Sequence, residues 1–391
     1  MHAGNATLVE IIRAEIRASG PMSFARFMEQ ALYHPEYGYY CSGRSVIGRH
    51  GDYFTNVSVG ATFAQLLALQ FAEIWNAMDR THDFILVEQG AHDGQFARDL
   101  LQAMRDDAPD LCASLRYQIV EPCASLHNHQ RENLAEFHDK VSWFQSIEAL
   151  APFEGIHFSN ELLDALPVHL ISSQDESPWK ERCVVIVNDE FALTEQPIAD
   201  AALRAHVAKL PVRSGDYATE ASLAAPRWIR DLSRKLIRGF VIAVDYGFPR
   251  HRFYEEDRIT GTIQVRAQHH LLPSPFVRVG LSDITTHVEW TSLVEEAEAS
   301  GFLLGGLTDQ HHFLTGILSG SPEFMEKASA KTRRELQTLL HPEMLGRSFQ
   351  VLALSKEIDR STPLSGFKFA KDPRSEVGLA ALDKVKDASA E

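Results

Sequence analysis

Acidic residues stand where three apolar runs end, and their surroundings suggest what each could bind. Glu88 closes the run 84–87 and opens a turn bracketed by Gly90 and Gly94, after which Phe96, Leu100 and Met104 recur at helical spacing. A strand, a glycine turn and a helix make half of a nucleotide-binding unit. The turn's acidity argues against a pyrophosphate, which Glu88 and Asp93 would repel, and the spacing is neither GxGxxG nor a phosphate loop. S-adenosylmethionine carries no phosphate and offers an ammonium, a sulfonium and a ribose diol, so a carboxylate beside a glycine turn suits it. Glu121 ends the next run, 116–121, and is placed to accept both ribose hydroxyls. Glu161 follows the run 155–159 by two positions, with Asn160 before it and Asp164 three residues on. Each has a plainer reading as well: a tight turn, a solvated strand-end acid, or a charge favoured at a helix N-terminus.

Something must hold these residues together, and the rhythm of the chain supplies it. Runs at 84–87, 116–121, 141–144, 155–159, 240–247, 302–307 and 349–354 read as seven strands alternating with helical segments. That predicts an open α/β sheet of Rossmann-like kind, in which ligands gather at the carboxyl ends of strands. Residues 1–80 read as a helical cap. Leu8, Ile11, Ile12 and Ile16 share one helix face, Ser23 is a candidate N-cap for a second helix, and Phe63 to Met78 carry the stripe of a third. Between the second and third helices, the aromatic, glycine-punctuated stretches 34–40 and 51–58 read as a lid or binding loop. Two excursions interrupt the core domain (81–372): an inserted subdomain at about 168–238, with hairpin-like strands, and a segment at about 248–290 rich in His, Arg and Pro. Residues 373–391 read as a flexible tail.

Composition narrows the function classes. The 391 residues are 45% hydrophobic, enough for a large core, and the formal charge of −15 argues against nucleic-acid or anionic-membrane binding. An acidic cleft for a cationic substrate fits that balance. Cys41, Cys112, Cys123 and Cys183 lack metal-finger or CxxC spacing, which predicts buried free thiols and a reducing compartment. The first residues show no basic leader or apolar h-region, and no run approaches a membrane span, so a cytoplasmic location is expected. The histidine pairs 269–270 and 311–312 lack chelating spacing around a carboxylate, so no metal is expected.

Together the motifs resemble those of the MidA-type proteins, over nearly the whole chain. Gly20-Pro-Met-Ser-Phe-Ala-Arg-Phe-Met28 with His34-Pro-Glu-Tyr-Gly-Tyr-Tyr40 is similar to that family's opening, and Gly51-Asp-Tyr-Phe-Thr55 to its Gly-Asp-Phe-x-Thr element. Asn160-Glu-Leu-Leu-Asp-Ala-Leu-Pro-Val168 is similar to its Asn-Glu-Phe-x-Asp-Ala-Leu-Pro signature, and Asp245-Tyr-Gly247, Gly261-Thr262 and the run 283–290 continue the match.

The resemblance implies a class I methyltransferase that uses S-adenosylmethionine to methylate arginine on a partner protein, a respiratory complex I subunit in the mitochondrial members. It implies Asp52, Thr55, Glu88, Gly90, His92, Gly94, Glu121 and Asn160 at the cofactor, and Glu161, Asn160 and Asp164 at the chemistry. A homodimer is compatible with it. Three departures stand out: His92 where the family has glycine, Thr55-Asn-Val-Ser58 without the usual Pro-Glu, and Val265-Arg266 in place of Ala-Tyr. They keep open a second expectation, an assembly protein of methyltransferase shape that transfers nothing.

Overall fold

The computed structural model describes residues 4–43, 55–175, 177–211, 215–359 and 362–380. At its centre is a mixed sheet of seven strands, β1 (Phe84–Gln89), β2 (Leu115–Val120), β3 (Val141–Phe144), β4 (Phe153–Asn160), β5 (Leu236–Asp245), β6 (Leu303–Asp309) and β7 (Gln350–Lys356). Across the sheet they run β6-β7-β5-β4-β1-β2-β3. β1 to β5 pair in parallel, and β7 is antiparallel to both β5 and β6. The order reverses between β1 and β4, the place where an open α/β sheet leaves a crevice at its carboxyl edge.

Side-chain alternation places a core on each face of the sheet. Leu86, Ile156, Phe158, Ile242 and Val351 meet α4 (Thr62–Ala77) and α5 (Gln95–Asp107), whose Phe71, Ile74, Phe96 and Leu100 are buried there. Val87, Val241, Ala243 and Leu352 point the other way, onto the helices Ala224–Ser233 and Trp290–Ala299. The first of these helices ends at Ser233, and Ile237 belongs to β5.

The first helices leave this core for another. α1 (Ala6–Ser19) and α2 (Phe24–Tyr33), the latter capped by Ser23 Oγ on the Arg26 amide at 3.2 Å, bury Leu8, Ile12, Phe24 and Phe27 against Val184 and Ile284. Met22–Ser23 pairs antiparallel with the inserted strand Lys180–Val187, in a sheet that also holds His169–Gln174, Glu190–Pro197 and Asp216–Ala221. The N-terminal helices and both insertions thus share one apolar cluster.

Two expectations are corrected. Cys41 and Cys123 are joined by a disulfide, 82 positions apart, and Cys112 and Cys183 alone are free and buried. Spacing cannot reveal a pair brought together by two different loops. Residues 373–380 of the expected tail are docked: Val377 is fully buried, its carbonyl accepts from Thr291 Oγ1 at 2.6 Å, and Arg374 pairs with Glu298. Among the described residues no helix is long and apolar enough to cross a membrane.

Candidate active site

Two cavities meet at the carboxyl edge of β1 and β4. The first, of about 690 Å³, is lined by Glu88, Gly90, His92, Glu121 and Asn160 together with Thr55. The second, of about 1140 Å³, is lined by Asp164, Asp283, Tyr246 and Arg266 among others. Tyr40 and Glu161 line both.

The first cavity is built on the turn after β1. Gly90 (φ 82°) and Gly94 (φ 83°) adopt the left-handed backbone for which glycine pays no Cβ penalty. A Cβ on Gly94 would also press Leu134 Cδ1 at 3.3 Å. His92 takes the same region (φ 46°), which accounts for glycine as the ordinary residue there; histidine is among the few side chains that tolerate it. Its carbonyl accepts from Gln130 Nε2 at 2.7 Å, and its own Nε2 is buried without a partner among the described residues. Glu88 accepts from Tyr117 Oη at 2.7 Å, and burial pushes its carboxyl up to about 8 in spite of that bond. Glu121 accepts from the Cys123 amide at 2.9 Å and from Gln130 Nε2 at 3.4 Å, with burial raising it to about 7.

The turn after β4 is held differently. No helix begins at residue 160: residues 161–166 are turn and bend, so Glu161 and Asp164 do not share a helix face. Asp245, at the end of β5, gathers the segment instead. Its Oδ2 accepts from the amides of Leu162 (3.1 Å), Leu163 (2.8 Å) and Asp164 (3.3 Å), and its Oδ1 from the Tyr246 amide (2.8 Å). This capture places Glu161 at φ 52°, a backbone a glutamate seldom adopts. The Glu161 carboxylate then accepts from Asn160 Nδ2 at 3.0 Å, and Asn160 Oδ1 accepts from Asn56 Nδ2 at 3.1 Å. Burial, then the charge of Asp245, pushes Glu161 up to about 8. Asp164 is raised as well, again by burial and then Asp245, and its Oδ1 has no hydrogen-bond partner among the described residues. Asp245 itself rises to about 7 through burial, which its four amide donors oppose.

The arrangement thus has an apolar cavity with two carboxylates, a polar cavity beside it, and carboxylates at the junction. A family model described as "Putative S-adenosyl-L-methionine-dependent methyltransferase" matches residues 66–308, more than half of the chain. The chain belongs to this methyltransferase family. A Burkholderia thailandensis protein crystallised with S-adenosyl-homocysteine is 32% identical and superposes with a TM-score of 0.83, covering 94% of this chain and 96% of that one. The protein arginine methyltransferase NDUFAF7 homolog, mitochondrial, of Drosophila melanogaster is 27% identical over 90% of this chain and 85% of its own. The human protein of that name is 25% identical, over 87% and 81%.

The methyltransferase is therefore an enzyme of α/β fold whose cofactor is S-adenosylmethionine. The expectation of a cytoplasmic location is overturned by its curated relatives, which are mitochondrial. Of the residues singled out from sequence, Thr55, Glu88, Gly90, His92, Glu121, Asn160 and Glu161 line the first cavity, and Asp164 lines only the second. Gly94 shapes the turn as N-cap of α5 without lining it, and Asp52 lies outside the described residues. Tyr33 carried no functional signal in the sequence, and Tyr40 and Asn56 only that of the stretches 34–40 and 51–58 read as a lid or binding loop. Tyr33 Oη donates to the Ala165 carbonyl at 3.0 Å and Tyr40 Oη to Asp283 Oδ1 at 2.6 Å, bonds across 132 and 243 positions.

Proposed function

We propose that this methyltransferase methylates an arginine of a partner protein. The observation that carries the reading is the position of Glu161, whose side chain lines both cavities and so lies where a methyl group would pass from one ligand to the other. Relatives over most of the chain's length are protein arginine methyltransferases by name, which supports the choice of acceptor.

The first cavity suits the cofactor by its donor set. Its size is within the usual range of about 300–1000 Å³ for small-molecule sites. Glu121 would take the ribose hydroxyls, Glu88 would sit under the glycine turn, and the buried, unpartnered Nε2 of His92 would donate to the cofactor's carboxylate end. Gly90 and Gly94 let the backbone approach, and Thr55 contributes to the wall while its Oγ1 caps the following turn on the Ser58 amide at 3.2 Å. When bound, the cofactor supplies an electrophilic methyl on sulfur with a neutral thioether as leaving group.

The chain's own residues handle the guanidinium. A free arginine side chain is protonated at neutral pH, so its nitrogen must be oriented and relieved of a proton as the new N–C bond forms. Glu161 is the group placed to orient it and take that proton, with Asn160 and Asn56 fixing the carboxylate from behind. Asp164, with an unpartnered oxygen in the same wall, is the second acceptor for the guanidinium fork. An approaching cation favours ionisation of both and so opposes the rise that burial causes. The helical cap (1–80) and the insertions (about 168–238 and 248–290) form the substrate-facing side in this reading.

The test incubates the purified protein with methyl-labelled S-adenosylmethionine and arginine-containing proteins, then maps the label by mass spectrometry, with Glu161→Gln alongside. Label on arginine that disappears in the variant is the expected result. Label on another residue type, or equal label in the variant, would refute the assignment.

A further inference from the structure

The second cavity is lined by charges of both signs. Glu161, Asp164, Asp283, Asp309 and Glu376 line it, and so do Arg252, Arg266, Arg347 and Lys371. With 53 Asp and Glu against 38 Lys and Arg, carboxylates are plentiful, and several cations are taken up by them. Arg250 pairs with Glu289 and Glu295, Arg258 with Glu255, Arg374 with Glu298. Arg252, Arg266 and Arg347 form no ion pair with any described residue. Three guanidiniums without an ion pair on one cavity are available to an anionic group that enters it.

Arg266 shows how such a charge is kept available. It lies on the strand Gln264–Ala267, directly across from Asp283 on the strand Asp283–Thr285, so the two side chains stand on one face of the ladder. Asp283 is engaged by Tyr40 Oη at 2.6 Å. Arg266 donates through Nε (3.1 Å) and Nη2 (2.8 Å) to the side-chain oxygen of Gln264. A neutral amide fixes the plane of the guanidinium without cancelling its charge, and both protons on Nη1 are left over from the fork's five. Arg252 is oriented in a comparable way, its guanidinium over the Phe248 ring at 5.4 Å from the centroid.

Resting on the reading that arginine enters at Glu161, we infer that the substrate segment carries an acidic side chain a few residues from its target arginine, held by Arg266 with Arg252 and Arg347. The cavity is bipolar: its carboxylates at Glu161 and Asp164 take the cation and its arginines take the anion. A cavity of this volume is about 10 Å across, which an extended chain at about 3.3 Å per residue spans in roughly two to four residues. A reversed peptide, or one with a basic residue in that place, would set like charges against each other.

The test uses the full-length protein saturated with S-adenosyl-homocysteine and fluorescent, C-terminally amidated arginine peptides. Asp, Asn or Lys is placed at each of the second to fourth positions on either side of the arginine, and affinity is read by anisotropy. The expected result is one spacing at which Asp binds about tenfold more tightly than Asn and Lys more weakly than either, with the Asp advantage shrinking as salt rises. Arg266→Glu should reverse the order at that spacing, so that Lys exceeds Asp, a swap that simple loss of structure cannot produce. An arm with a free C-terminus in place of Asp separates a terminal carboxylate from an acidic side chain. Equal affinities for Asp and Asn at every spacing, no binding of any peptide, or preference for the free C-terminus alone would each overturn the inference. Methyl transfer from S-adenosylmethionine to the same peptides is read separately. Tight, Asp-dependent binding without label on arginine would refute arginine transfer while leaving the bipolar site standing.

Discussion

The turns after β1 and β4 start side by side, since Gln89 and Ser159 are partners in the sheet, yet they are shaped by opposite means. The first obtains its left-handed backbone from its own residues, Gly90 and Gly94, and passes into α5. The second has no glycine and no helix; Glu161 is held at φ 52° because Asp245, 84 positions on, accepts three successive amides. Local freedom makes one turn and a distant carboxylate makes the other. The first kind can be altered residue by residue, whereas the second should fail as a unit.

The largest effect that would break this contrast is at Glu161. Glu161→Gln keeps the shape and the Asn160 contact but cannot accept a proton, so methyl transfer should fall about 10³-fold, with affinity for S-adenosyl-homocysteine within about threefold by calorimetry. A variant that retains a tenth of the activity would remove Glu161 from the chemistry. Next in size is Asp245→Ala, which orphans the amides of Leu162, Leu163 and Asp164 together. We expect a loss of about 3 kcal/mol in urea unfolding and transfer reduced about 100-fold, with Asp245→Asn intermediate because one acceptor oxygen survives. Gly94→Ala, the corresponding test of the first turn, should cost only about 1–2 kcal/mol. Equal losses would mean that the two turns are held alike.

Glu121→Ala tests the first cavity alone. Removing a carboxylate that would bind two hydroxyls should weaken S-adenosyl-homocysteine binding about 10- to 100-fold, leaving transfer at saturating cofactor within a few-fold. The two sites should also separate by pH. Glu161 is raised from the ordinary carboxylate range to about 8, so in the free enzyme it is largely protonated at neutrality and cannot act as a base. kcat/KM should therefore rise about tenfold per pH unit up to about 8 and then level off. Stability should move the opposite way. The unfolded chain releases these protons near pH 4.5 and the folded protein retains them to about 7–8 at Glu88, Glu121 and Glu161, so stability declines as pH rises through that window. Glu161→Gln should flatten part of that decline. A rate that is flat from pH 6 to 8 would contradict the assignment of Glu161.

How far the sequence reveals this site follows from how each part is held. Glu88, Gly90 and Gly94 are readable because strand, turn and helix are contiguous and each residue's type is required by its own backbone. Glu121 is readable from its place at the end of the next strand. Glu161 and Asp164 are readable as motif residues, but their backbone is not: the amides of Leu162, Leu163 and Asp164 are taken by Asp245, and no helix begins there. Asn56 and Tyr40 are readable only as members of a binding-loop stretch: their individual bonds, to Asn160 and Asp283, cross 104 and 243 positions. The same holds for the Cys41–Cys123 disulfide, which joins the loop after α2 to the segment following Glu121. The seven strands emerge from apolar rhythm, whereas the pairing of Met22–Ser23 with an inserted strand depends on tertiary packing.

The smallest effect is the sharpest test of the first turn, because at His92 conformation and function pull apart. Glycine would remove the strain of a left-handed histidine, about 1 kcal/mol, but would return most of that in unfolded-chain entropy, so stability in His92→Gly should change by less than about 1 kcal/mol. The imidazole is different: its Nε2 is buried in the cavity wall with no partner among the described residues, a cost that a ligand can offset. Glycine should therefore weaken S-adenosyl-homocysteine binding, by about three- to tenfold for one lost hydrogen bond. His92→Asn, which tolerates the same backbone and still donates, should recover part of that affinity. If His92→Gly instead bound the cofactor more tightly, the imidazole would be an obstruction, and the first turn would owe its function to its glycines alone.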